Sequence, residues 1–92
     1  MKNTEKKVVM ISGANRGIGK VVAEKLSEDG YLLSLGIRNP SNLPGSLSSI
    51  PETQLLCHAY DAKKPQSAQS WIDGTIKHFG RIDVLVNNTG IL

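Results

Sequence analysis

The stretch SGANRGIGK at residues 12–20 places three glycines, Gly13, Gly17 and Gly19, within seven positions. Ahead of it, residues 7–12 (KVVMIS) are β-branched and apolar on both faces, the pattern of a central parallel strand covered by helices on either side. Behind it, Ile18, Val21, Val22 and Leu26 recur at helical spacing until Gly30 supplies a stop. The glycines therefore mark a strand turning into a helix. Glycine at such a junction admits backbone angles closed to other residues, lets a ligand approach the main chain, and leaves the first N–H groups of the helix uncovered. Bare amides at the positive end of a helix attract phosphate, so the spacing G-x-x-x-G-x-G reads as a pyrophosphate loop. The competing reading is a strand-to-helix turn with one packing glycine. Two other phosphate motifs fail on spacing: one needs glycine at 14 and Ser or Thr at 21, where Ala14 and Val21 stand, and the other needs glycine at 15 and 18, where Asn15 and Ile18 stand.

Outward from this element the chain alternates. Residues 31–37 (YLLSLGI) and 54–60 (QLLCHAY) read as the second and third strands, and residues 82–87 (IDVLVN) as a fourth with apolar residues on both faces. Pro65 opens a one-sided helix through Ala68, Trp71, Ile72, Thr75, Ile76 and Phe79, which Gly80 ends; Gly74 inside it costs about 1 kcal/mol relative to alanine. Residues 39–52, with three prolines and four serines, favour a loop with at most one or two helical turns. Glu28 and Asp29 oppose the dipole at the end of the first helix, which predicts fraying there. Strand and helix in alternation give an α/β, doubly wound parallel sheet in the order 3-2-1-4, whose ligand lies at the carboxyl ends of the strands. The edge of the fourth strand would need a further neighbour, so residues 7–92 are expected to be the N-terminal part of a larger domain, preceded by a flexible arm over residues 1–6.

Composition narrows the function classes. At 92 residues the chain is one small domain that buries roughly two thirds or less of its unfolded surface. A hydrophobic content of 39% with no apolar run near the ~20 residues of a membrane span predicts no membrane association, and the polar start MKNTEKK predicts a cytoplasmic location. The net charge of +3 comes from basic residues scattered among acids, and the four aromatics form no stacking series, which argues against nucleic acid. Cys57 is a lone thiol in an apolar stretch, read as a small hydrophobe, and His58 beside it points to the opposite face of the strand, so no metal site is expected.

SGANRGIG resembles the T-G-x-x-x-G-I-G element of the short-chain dehydrogenase/reductase family, with Ser12 for threonine. NNTG at residues 87–90 resembles its N-N-A-G element, with Thr89 for alanine, and FGRIDVLVNN has the family's wording ahead of it. The likeness spans residues 7–92. It implies a Rossmann-like fold, an oligomer of identical chains, and hydride transfer between a nicotinamide cofactor and a carbonyl or alcohol substrate. By the same resemblance Gly13, Asn15, Arg16, Gly17, Ile18 and Gly19 hold the cofactor's phosphates and adenosine ribose. Asp61 receives the adenine amino group, the backbone of Ala62 lines the ring pocket, Asn87 stabilises the sheet, and Asn88, Thr89 and Gly90 line the nicotinamide ribose.

NAD-type sites place Asp or Glu at the end of the second strand to bind the ribose 2′-hydroxyl. Here that end reads Gly36, Ile37, Arg38. A planar, permanently charged donor fork suits a 2′-phosphate, with Arg16 as a second cation, which predicts a preference for NADP(H) over NAD(H). The family's catalytic tyrosine and lysine, on one helix four residues apart, match no position here. A literal Y-x-x-x-K occurs at Tyr60 and Lys64, but Tyr60 closes a strand and Pro65 interrupts any helix through the pair, so neither is assigned to catalysis. The alternative function is a noncatalytic dinucleotide-binding or sensor module.

Overall fold

The computed structural model describes residues 6–88. Most of the arm expected over residues 1–6, together with Thr89 and Gly90, lies outside the described residues. Four strands, β1 (Val8–Ser12), β2 (Leu32–Ile37), β3 (Leu55–Ala59) and β4 (Val84–Val86), form one sheet in the order β3-β2-β1-β4. Every pair is parallel. The strands are joined by helices α1 (Gly17–Glu28) and α3 (Pro65–Phe79), and between β2 and β3 by a 3-10 turn at Pro40–Asn42 and the one-turn α2 (Gly45–Ser48). The proline and serine content of residues 39–52 thus yields two single turns, as their composition implies.

Alternation along the strands sorts side chains into two layers. Val9, Ile11, Leu33, Leu35 and Leu55 face α1 and pack with Ala23 and Leu47 into the core, with Val22, Leu26 and Cys57 against it. The register sets Ser34 on the other face, beneath α3. There Trp71 Nε1 donates to Ser34 Oγ at 2.9 Å, Ser34 Oγ and Thr75 Oγ1 lie 2.6 Å apart, and Thr75 Oγ1 donates to the Trp71 carbonyl at 2.8 Å. The burial of two hydroxyls on an apolar face is thereby satisfied. The indole lies flat over Gly36, where a Cβ would come within 2.8 Å of its ring carbons. Cys57 and His58 do diverge: the thiol joins the α1 layer, while the imidazole packs beneath Gly74 of α3.

Strand and helix ends differ from the sequence reading where local hydrogen bonds intervene. Gly30, at φ 93°, donates to the Ser27 carbonyl and Tyr31 N–H to the Leu26 carbonyl, a Schellman closure that takes Tyr31 out of β2. Lys25 pairs with Asp29 at 3.4 Å. The acidic helix end predicted to fray is closed by these contacts. The fourth strand is shorter than residues 82–87. Asp83 Oδ2 accepts from Val8 N–H at 2.8 Å and Oδ1 from Arg81 at 2.7 Å, which anchors its start, and Leu85 is 59% exposed, so only part of its apolar surface is covered. The Arg81 guanidinium and the Val8 amide hold the Asp83 carboxyl below the usual carboxylate range.

Two outcomes follow from the core. Gly36→Ala drives a methyl into a buried, hydrogen-bonded indole and is expected to cost about 1–3 kcal/mol in urea unfolding, with a shift in the emission of Trp71. Burial pushes the Cys57 thiol up to about 11. A thiol that ionises more readily unfolded than folded makes stability fall as pH rises from the unfolded pKa of about 8.5 towards that value. Cys57→Ala should remove this alkaline slope, measured as midpoint against pH.

Candidate functional site

The carboxyl ends of the strands gather the residues that the sequence marks. β1 turns at Gly13, whose φ of 68° is left-handed and whose N–H donates to the Gly36 carbonyl of β2 at 2.9 Å. Ala14 is fully buried in the α1 layer, which pins the turn to the core. Asn15 and Arg16 carry the chain over the sheet edge, and α1 starts at Gly17.

The three glycines do different things. A Cβ on Gly13 would lie 2.6 Å from the Asn88 carbonyl oxygen, and one on Gly19 would lie 2.6 Å from the Gly13 oxygen and overlap the Asn88 amide. These two are required by close packing of the turn, the helix and the end of β4. Gly17 has φ 61° and open space around the position of a Cβ. The packing reading holds for Gly13 and Gly19, and the open cradle is confined to Gly17.

At the start of α1 no side chain caps the helix and no acid stands in its first turn. Arg16, in the capping position, is extended and exposed, and Ile18 is 75% exposed. The first amides of α1 thus have no side-chain cap, and they lie at the positive end of the helix. That arrangement suits a diphosphate.

Asn88 is the keystone under the loop. Its N–H donates to Ser12 Oγ at 2.7 Å, and its Nδ2 donates to the Gly13 carbonyl at 3.3 Å. Ser12 Oγ in turn donates to Asn87 Oδ1 at 3.2 Å. The Asn88 side chain therefore faces the glycine turn and supports it. Ser12 was visible in the sequence only as a replacement for threonine, and its bridging role depends on strands 75 residues apart in the chain.

Further along the edge, Arg38 follows β2, exposed and with no ion-pair partner among the described residues. Asp61 follows β3, where its Oδ1 accepts from Lys63 N–H at 3.0 Å and its carbonyl accepts from Ser67 Oγ at 2.9 Å. It is a turn-forming acid at the entry to α3, with Ala62 exposed beside it. Tyr60 stacks on Trp71 with ring centroids 4.9 Å apart, and Lys64 precedes the first turn of α3. The two share no helix. An apolar groove of about 250 Å³ runs between α3 and β1–β4, bounded by Met10, Trp71, Ile72 and Leu85 and reaching Ser12 and Asn87. No helix among the described residues is long and apolar enough to cross a membrane.

The parallel order, the crossover helices and the glycine turn define a dinucleotide-type α/β fold. The family profile described as short chain dehydrogenase matches residues 7–92, and the chain belongs to that family. It is 42% identical over 84 residues to an agropine synthesis reductase of Rhizobium rhizogenes, covering 90% of this chain and 19% of that protein. An uncharacterized oxidoreductase of Staphylococcus saprophyticus is 37% identical over 92 residues, covering 100% of this chain and 37% of the relative. Among solved structures, the alcohol dehydrogenase of the archaeon Thermococcus sibiricus, complexed with 5-hydroxy-NADP, superposes with a TM-score of 0.78 at 34% identity, over 88% of this chain and 36% of that one. The chain thus spans between a fifth and two fifths of the length of these relatives.

The division among the glycines has a measurable consequence. Gly17→Ala carries only the left-handed backbone penalty, about 1–2 kcal/mol. Gly19→Ala carries no left-handed penalty but forces a methyl into the Gly13 carbonyl and Asn88, and chemical denaturation should find it the more destabilising of the two.

Proposed function

We propose that this chain is the NADP(H)-binding portion of an oxidoreductase that moves hydride between the nicotinamide and a small carbonyl or alcohol substrate. The observation that carries the reading is the start of α1: no capping side chain, no acid in the first turn, and an open cradle at Gly17. There the residues present fit a pyrophosphate, with Gly13, Asn15, Arg16, Gly17, Ile18 and Gly19 forming its bed. When bound, the nicotinamide supplies or accepts the hydride. Everything else in this chain binds and orients.

Arg38 recognises a 2′-phosphate, since the end of β2 offers an unpaired guanidinium where a ribose-binding carboxylate would otherwise stand. Arg16, also without an ion-pair partner among the described residues, adds a second cation from the loop. Asp61, with Oδ1 engaged in its own turn, keeps Oδ2 for the adenine amino group, and the Ala62 backbone borders the ring. Asn88 keeps the loop and the end of β4 in contact, beside the place proposed for the nicotinamide ribose together with Thr89 and Gly90. The matched relatives are longer, and the exposed Val84 and Leu85 with the groove over β1 and β4 offer the surface on which the rest of such a domain packs. A homo-oligomer and a cytoplasmic setting belong to the same proposal.

Affinity measurements test it. NADPH at 100 times its dissociation constant should stabilise the protein by roughly 2.7 kcal/mol, read as a melting shift. Loss of a hydrogen bond to a charged group is worth about 1.5–3 kcal/mol, so Arg38→Ala should weaken NADP binding by roughly ten- to a hundredfold while NAD binding stays within about twofold. Equal losses for both cofactors would remove Arg38 from the 2′ site.

A further inference from the structure

Glycine inside a strand weakens it, since it loses the most conformational freedom on folding and packs no side chain, and it marks a place where something approaches the backbone closely. At Gly36 of β2 that something is the six-membered ring of Trp71, whose Cε2, Cζ2 and Cη2 would each lie 2.8 Å from a Cβ there. The same ring is fixed by hydrogen bonds. Thr75 Oγ1 gives its only proton to the Trp71 carbonyl, so the 2.6 Å contact between hydroxyls is donated by Ser34, and Ser34 Oγ is left to accept from the indole N–H at 2.9 Å. Each group has one direction open to it. The indole, 3% exposed, has one seat.

That seat lies between two strand exits. Gly36 stands two residues ahead of Arg38. From β3 the Tyr60 ring meets the indole with centroids 4.9 Å apart and planes tilted by 38°. Tyr60 N–H donates to the Ile37 carbonyl at 2.9 Å and Asp61 N–H to Ser67 Oγ at 3.0 Å, so residues 60 and 61 leave β3 tied to β2 and to α3. At the ends of β1 and β4 the corresponding junction is made by Ser12 and Asn88. At β2 and β3 a buried ring makes it.

We infer that Trp71 is a positioning residue for the adenosine half of the proposed cofactor site: its indole, seated by Ser34 and Gly36, holds the Tyr60 ring and through it aims Asp61 at the adenine amino group. This role rests on the reading of Asp61 given above. Side chains locked by packing and hydrogen bonds are what keep a binding residue in its productive geometry. Trp71→Phe keeps an aromatic ring near Tyr60 but loses the donor and part of the surface over Gly36, while Ser34 and Thr75 remain paired with each other. Ser34→Ala keeps the indole and removes the atom that seats it. Val22→Ala, in the α1 layer, weakens the core away from these strand ends.

The experiment compares affinities for NADP and for its deamino analogue, in which hypoxanthine replaces adenine and no amino group faces Asp61. Titration calorimetry of the full chain and the three variants gives the ratio, with melting temperature as the check on folding. A hydrogen bond to a carboxylate gives the parent a preference for NADP of roughly ten- to a hundredfold. We expect Trp71→Phe to lower that ratio by at least roughly fivefold and Ser34→Ala by about three- to fivefold, whereas Val22→Ala lowers the melting temperature and keeps the ratio within about twofold. A part in stability alone would lower the melting temperature of all three and leave every ratio at the parent's value, a result that overturns the inference and leaves Asp61 standing. An equal fall with Val22→Ala overturns it too. Where Trp71→Phe fails to fold, Ser34→Ala decides by the same criterion. A parent that binds both nucleotides equally overturns the reading of Asp61 and the positioning role together.

Discussion

At the carboxyl ends of β1 and β4 three lengths of main chain meet: the turn after Ser12, the first turn of α1, and the segment through Asn88. Ser12 Oγ accepts from one partner and donates to another across that junction, and the Asn88 amide fills the space left by two missing methyl groups. Buried hydroxyls and amides must be paired, so this small cluster has few alternative arrangements. It fixes where α1 begins. The direction and exposure of the first helical amides, and with them the proposed phosphate bed, depend on that placement.

Much of the architecture could be read along the chain. Period-two apolar runs, a helical stripe ended by Gly30 and another ended by Gly80 gave four strands, two long helices and a workable order, because burial on both faces of β1 and β2 is written directly into KVVMIS and YLLSLGI. Ends were less legible. Tyr31 looks like strand in sequence, yet its amide closes the preceding helix, and Glu28 with Asp29 look like a weak end until the Lys25 pair and the Schellman bonds are counted. These depend on backbone geometry that residue type only hints at. In the site, Gly13, Gly17 and Gly19 were recognisable as a set but not as individuals. Their neighbour Asn88 lies 69 or more positions away, so no local pattern could say which glycine answers to packing and which to open space.

Charge on the carboxyl edge follows from what the other charges are doing. Lys20 and Glu24 pair at 3.0 Å, Lys25 and Asp29 at 3.4 Å, and Arg81 and Asp83 at 2.7 Å. The first pair also ties α2 to α1, since Ser46 Oγ donates to Glu24, and that hydroxyl followed by Lys20 lowers the Glu24 carboxyl below its ordinary range. Exposed pairs of this kind contribute little to stability. Their effect on the field is larger, because paired charges nearly cancel at a distance. Among the described residues Arg16 and Arg38 have no such pairing, and they stand at the edge towards which α1 points its positive end. In the proposed reading, a nucleotide that carries an extra phosphate gains most from that edge.

A glycine-rich motif is often taken as evidence of ligand approach, but two of the three glycines here would be required with no ligand at all. Any side chain at Gly13 or Gly19 would push the turn, the helix and the end of β4 apart. Gly17 differs because nothing among the described residues occupies the space that its missing Cβ leaves. The motif therefore carries a folding requirement, and the binding role proposed for it rests on a single left-handed residue at an uncapped helix start. In the proposed site that residue is joined by the uncapped first turn of α1 and by an arginine at the end of β2 in the place of an acid.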